Sequence, residues 1–237
     1  TSSRAYFLSR PRRFGKSMTL STIKSIYQAE KQYFNGLWIE DKWNWEKIHP
    51  VIHFSFASID YHHLGVENAL MLTLQQIAKK HNIVLIGSSH SQMFQELIEK
   101  LTALKGRVVI LIDEYDKPII DFLEKEKRPI AEQNRAALRQ FYSIIKDADP
   151  YIEFFLMTGV SKFSQTGIFS NLNHLNDLTL DQKFVNLVGY TPNELNQYFA
   201  EWIDYAWQSF PDLSKEQFMA HIRLWYNGYS WDGINTV

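Results

Sequence analysis

Apolar positions along the chain fall into two alternating kinds of segment. Short runs that are apolar on both faces read as buried parallel strands. They are Ala5-Tyr6-Phe7-Leu8, Val51-Ile52-His53-Phe54-Ser55-Phe56, Arg107-Val108-Val109-Ile110-Leu111-Ile112 and Tyr151-Ile152-Glu153-Phe154-Phe155-Leu156-Met157. Between them apolar residues recur at helical spacing. One set is Leu20, Ile23, Ile26 and Tyr27; the next is Leu70, Leu74 and Ile77. A third runs from Met93 and Phe94 to Leu104, and a fourth uses Ile130, Ala137, Leu138, Phe141 and Ile145. Gly87-Ser88-Ser89 breaks the second from the third, Gly106 closes the third, and Asp149-Pro150 ends the fourth. Strands separated by helices predict an α/β fold, a doubly wound parallel sheet in three α/β/α layers. Asn186-Leu187-Val188-Gly189-Tyr190 supplies a short fifth strand.

The pattern changes after residue 190. Thr191-Pro192-Asn193-Glu194 is a helix start, with an N-cap threonine, proline at the first helical position and glutamate three residues past the cap. Leu195, Tyr198, Phe199, Trp202, Ile203, Ala206 and Trp207 then repeat at helical spacing, and a second helix spans Ser214 to Leu224. The chain therefore divides into a sheet core, 1–190, and a small helical lid, 191–237.

Composition narrows the function classes. The 237 residues, 45% of them hydrophobic, suffice for one substantial core with a small appended domain. A net charge of −1 gives no global basic field for nucleic acid, which makes nucleic acid a poorly supported partner. The basic residues Arg4, Arg10, Arg12, Arg13 and Lys16 cluster near the N-terminus instead. With no cysteine, disulfides, thiolate metal sites and cysteine nucleophiles are excluded, which accords with a reducing, cytoplasmic setting. No apolar run is long enough to span a bilayer, and no signal peptide is visible. Because a central strand begins almost at residue one, the native N-terminus is expected to be truncated.

The chemistry concentrates at strand ends. Arg10-Pro11-Arg12-Arg13-Phe14-Gly15-Lys16-Ser17 sits between the first strand and the first helix. It fits a phosphate-binding loop, G-x-x-x-x-G-K-[ST], except that Arg10 takes the first glycine position. Such a loop uses backbone N–H groups at a helix N-terminus to cradle phosphates; here Arg12, Arg13, Phe14, Gly15, Lys16, Ser17 and Met18 would do so. Lys16 would reach the β- and γ-phosphates and the Ser17 hydroxyl would ligate Mg²⁺. Of Arg12 and Arg13, one at most is expected to face phosphate; outward projection and neutralisation by nearby acids are the alternatives.

A second signal follows about a hundred residues on, where Val109-Ile110-Leu111-Ile112 ends in Asp113-Glu114. In a phosphate-loop fold the first acid holds Mg²⁺ directly or through water, and the second polarises the attacking water. Each motif alone is weak, but their order and their place at strand C-termini reinforce one another. Beyond the fourth strand, Thr158 is placed to sense a γ-phosphate or orient water, with Ser161 and Lys162 behind it; ordinary turn chemistry explains the segment equally well. Asp116 either assists Mg²⁺ or caps the helix that follows, capping being favoured. Arg135 and Arg139 are candidates for an arginine finger, set against the commoner solvated helix face. The eight histidines, His49, His53, His62 and His63 among them, show no spacing that suggests zinc. The aromatic segment Trp225 to Trp231 is more readily packing core than a base-stacking platform.

Four segments together resemble the AAA-ATPase-like family of bacterial proteins. These are Ser9-Arg10-Pro11-Arg12-Arg13-Phe14-Gly15-Lys16-Ser17, Leu111-Ile112-Asp113-Glu114-Tyr115-Asp116-Lys117-Pro118, Thr158-Gly159-Val160-Ser161-Lys162-Phe163-Ser164 and Tyr226-Asn227-Gly228-Tyr229. The resemblance extends over essentially the whole chain and makes Arg10 a normal family variant. It implies an AAA+-like or STAND-like P-loop ATPase core, with ATP and Mg²⁺ as ligands. It also implies a PD-(D/E)XK nuclease-like domain after the lid, outside this chain. No guanine-reading Asn-Lys-x-Asp motif is present, which again favours ATP. Three functions follow: an ATP-hydrolysing switch or motor for a protein partner or that appended domain, a nucleotide-binding regulatory module with little turnover, or a nucleic-acid-binding accessory domain.

Overall fold

The computed structural model describes residues 4–161, 175–226 and 229–231. Two compact units divide the chain, Thr1–Asn176 and Asp177–Val237.

The first unit is built on four parallel strands: β1 (Ala5–Ser9), β2 (Val51–Ser55), β3 (Val108–Asp113) and β4 (Ile152–Gly159). A two-residue strand β5, Asn176–Asp177, completes the sheet in the order β2-β3-β4-β1-β5. Helices connect the strands. α1 (Lys16–Tyr27) follows β1; α2 (Tyr61–Leu64), α3 (Val66–Lys80) and α4 (His90–Lys105) lie between β2 and β3; α5 (Lys117–Ile120) and α6 (Arg128–Asp147) lie between β3 and β4.

Strand alternation sorts the core into two faces. Ala5, Phe7, Ile52, Phe54, Ile110, Ile112, Phe155 and Met157 join one buried cluster with side chains from α3, α4 and α6. Their strand neighbours Leu8, Val109, Leu111 and Leu156 are equally buried on the other face, which α1 covers through Leu20. At the centre of the first cluster Phe94 and Phe141 stack at 4.4 Å, and both meet Phe54 edge-on. The α/β expectation therefore holds for the first unit.

Register decides what lies at the strand ends. Leu8 pairs with Thr158 and Ser9 with Gly159, while Ile112 pairs with Met157 and Ser55 with Asp113. β4 thus stands between β1 and β3, and all of these C-terminal ends open on one edge of the sheet.

Two expectations need correction. Residues 186–190 form turns and bends, not a fifth strand. Gly189 takes φ 92, a left-handed conformation that interrupts an extended run, and the fifth strand is Asn176–Asp177 instead. The single lid helix expected after Thr191 is two helices, α7 (Pro192–Tyr198) and α8 (Ala200–Trp207), separated at Phe199, which has φ −117. The capping box at its start is present: Glu194 N–H donates to Thr191 Oγ1 and Thr191 N–H to Glu194 Oε2. α9 (Lys215–Tyr226) follows, and Lys215 pairs with Asp204 of α8. Trp225 and Tyr226 at its end are about four-fifths exposed, so they do not form the packed core expected of them. Asn227 and Gly228 lie outside the described residues.

Phe141→Ala should lower unfolding free energy by about 3–5 kcal/mol, read from urea melts, because the ring is fully buried and packs against Phe54 and Phe94. His90 is buried against Phe141, and burial lowers its pKa from the ordinary 6.5. The unfolded chain therefore binds the proton more readily, and stability should rise with pH between the lowered folded value and 6.5. His90→Gln should flatten that rise in urea midpoints measured across the window.

Candidate functional site

The loop 10–17 leaves β1 at the sheet edge just described. Arg10, the residue in the first glycine position, is buried; its N–H donates to Gly159 O at 3.1 Å and its guanidinium to Ser9 O at 2.9 Å. Gly15 stands as the N-cap of α1 at φ 85, a left-handed conformation suited to glycine, and no side chain caps the helix. The first N–H groups of α1 therefore have no partner within their helix.

Lys16 turns back under this loop. It is buried, and its Nζ donates to Arg10 O at 2.9 Å and Pro11 O at 2.8 Å. Burial lowers its pKa, opposed by the nearby carboxylates of Asp113, Glu114 and Asp116, while Arg12 adds to the lowering. The ammonium thus lies in the field of three acids. Ser17 and Met18 are exposed, as are Arg12 and Arg13, and Phe14 is half-buried. Arg13 has φ 69, a left-handed conformation unusual for a residue with a side chain.

Asp113 ends β3 and is buried. The register places it beside the tip of β4, where Thr158 Oγ1 donates to its Oδ1 at 2.7 Å in fully buried surroundings. The Thr158 hydroxyl therefore faces the first acid of the pair. Glu114 is half-buried with φ 54, again left-handed, and lines a small cleft together with Arg12, Asp116, Lys117, Asp121 and Val160.

Two residues of this edge have roles that composition and spacing did not reveal. Asp116 is buried but makes no helix cap; its Oδ2 accepts N–H bonds from Val160 at 3.0 Å and Ser161 at 2.7 Å. The capping role expected for it is thus replaced by a bond across to β4. Burial raises its pKa, against the N–H donors and Lys16, which favour the charged form. Tyr115 lays its ring over Gly159 and donates its hydroxyl to Ser161 O at 2.9 Å. A Cβ at Gly159 would meet that ring at 2.5 and 2.6 Å, so glycine is required by close approach. The only textual hint was the Tyr-Asp pair directly after the two acids.

The remaining candidates lie elsewhere or carry structural roles. Arg135 and Arg139 are on the exposed face of α6. His49 bonds Arg107 O through Nδ1, and His53 is half-buried on β2. Lys162, Phe163 and Ser164 lie outside the described residues. Among the described residues no group of three or more His, Cys, Asp or Glu is arranged to hold a metal ion, and no helix is long and apolar enough to cross a membrane.

The first unit thus brings an uncapped helix start, a buried lysine and an acid pair to one edge of its sheet. The model of the family described as predicted AAA-ATPase matches residues 1–169, and the chain belongs to this AAA-ATPase-like family. It is 40% identical over 232 residues to an Azotobacter chroococcum mcd 1 protein named "Uncharacterized protein in vnfD 5'region". That match covers 96% of this chain and 42% of the relative's length. No solved structure matches the chain.

Thr158→Val keeps the shape and removes the hydroxyl, leaving the buried Asp113 oxygen without that donor. Urea unfolding should show a loss of about 1–3 kcal/mol. Thr158→Ser should retain most of the stability, and equal midpoints for Val and wild type would refute the pairing.

Proposed function

We propose that this chain binds ATP with Mg²⁺ at the 10–17 loop and hydrolyses it to ADP and phosphate. Turnover would serve as a switch or motor for a protein partner or for a nuclease-like domain beyond residue 237. The observation that carries the reading is Lys16. A buried ammonium sits at the uncapped start of α1, across from Asp113 and Glu114, where N–H groups and a cation together suit a polyphosphate.

The residues fit the ligands. Magnesium is usually held by one or two protein oxygens plus substrate phosphates, so no all-protein cage is needed. Ser17 and Asp113 would hold it, and when bound it supplies charge neutralisation at the phosphate oxygens. Lys16 exchanges its carbonyl contacts for phosphate oxygens, and the backbone from Arg12 to Met18 cradles them. Thr158 keeps Asp113 oriented through its hydroxyl. Glu114 accepts a proton from the attacking water and directs it at the terminal phosphate. Arg12, on the cleft wall with Glu114, is the arginine better placed to meet phosphate. Membership of the AAA-ATPase-like family supports nucleotide use in general.

Phosphate release from the purified chain with MgATP tests the proposal. Lys16→Ala and Glu114→Gln should each lower turnover by about a hundredfold or more. Glu114→Gln should still bind ATP in calorimetry, whereas Lys16→Ala should bind it weakly. Unchanged turnover in both variants would sink the reading. ATP binding by the wild type with no phosphate release would favour the regulatory-module alternative.

A further inference from the structure

Glu114 is flanked on both sides by residues fixed to β4. Before it, Asp113 is held by the Thr158 hydroxyl. After it, Tyr115 N–H donates to Thr158 O at 3.0 Å, the Tyr115 ring covers Gly159, and its hydroxyl reaches Ser161 O. Asp116 then receives the Val160 and Ser161 N–H groups on a single oxygen. Lys117 N–H closes the turn onto Glu114 O at 3.0 Å. Glu114 itself takes φ 54, a conformation a side-chain-bearing residue keeps only when its surroundings impose it.

The geometry points to Asp116 and Tyr115 as positioning residues: by clasping the end of β4 at Val160 and Ser161, they hold Glu114 left-handed and aim its carboxylate into the cleft beside Arg12. This rests on the hydrolysis reading and adds to it which residues orient the base. A buried carboxylate suits the clasp because one oxygen can accept two N–H groups at once. The amide oxygen of asparagine can do the same, so the clasp needs an acceptor at this position more than it needs a charge. Without the clasp the turn at 114 relaxes toward an ordinary backbone and the carboxylate swings off the cleft. A displacement of about 1 Å at a reacting group is worth about a hundredfold in rate.

Three variants, Asp116→Ala, Asp116→Asn and Tyr115→Phe, separate positioning from mere folding. Amide hydrogen exchange of the nucleotide-free protein should show Val160 and Ser161 exchanging at least tenfold faster in Asp116→Ala, and near the wild-type rate in Asp116→Asn. With MgATP, kcat should fall roughly ten- to a hundredfold in Asp116→Ala while ATP affinity by calorimetry changes less than about threefold. Asp116→Asn should recover most of kcat, and Tyr115→Phe, missing one bond, should lose severalfold. Unchanged kcat or unchanged exchange in Asp116→Ala overturns the inference, as does a parallel loss of affinity and kcat in folded protein. If Asp116→Ala does not fold, Tyr115→Phe decides, and wild-type kcat in it overturns the inference. Absent turnover in the wild type counts against hydrolysis, and amide exchange then decides the clasp.

Discussion

Everything at the working edge of the sheet depends on how β4 fits between β1 and β3. The register that sets Thr158 against Asp113 also sets Gly159 against Ser9, so one strand end organises both the loop and the acid pair. Close approach makes the arrangement demanding. The Tyr115 ring lies where a side chain at 159 would have to go, and Arg10 N–H bonds the carbonyl of the same glycine. The loop and the acids are consequently tied to a common point. Neither is held by its own segment alone.

Lys16 shows the electrostatic side of the same constraint. Burial disfavours its charge, and three carboxylates at and just after the end of β3, one strand removed, restore part of that loss. The two loop carbonyls complete its hydrogen bonds. A cation kept buried in this way is expensive for the fold, and the acids opposite account for its persistence there. Three carboxylates against one ammonium leave an excess of negative charge, so a polyanion would be better accommodated there with its own divalent counter-cation than alone.

Much of this was legible in the sequence, for identifiable reasons. Runs such as Val109-Ile110-Leu111-Ile112 announce a strand buried on both faces, and the helices between strands carry clear periodic faces. The loop and the acids were visible because their chemistry depends on residue type and local spacing. What escaped was set by tertiary contact. Asp116 reads as a helix cap by position, yet its partners are more than forty residues away at Val160 and Ser161. The Thr158 hydroxyl could be placed at a strand tip, but its partner depends on strand order, which periodicity does not encode. Val188-Gly189-Tyr190 resembled a strand by composition, and the left-handed Gly189 decided otherwise. In the second unit, the helical pattern through Phe199 ran on unbroken although the backbone does not.

Arg13 and Glu114 share an unusual property: both carry large side chains on a left-handed backbone, one on the loop and one after the acidic strand. Glycine would relieve the strain at either position. Selection for thermal tolerance or expression alone would therefore drift toward glycine at 13 and 114 and discard the guanidinium and carboxylate together. With Glu114 as the proposed base, a sturdier protein without turnover is the foreseeable product of glycine at 114, so any effort to engineer robustness into this scaffold has to hold that position fixed.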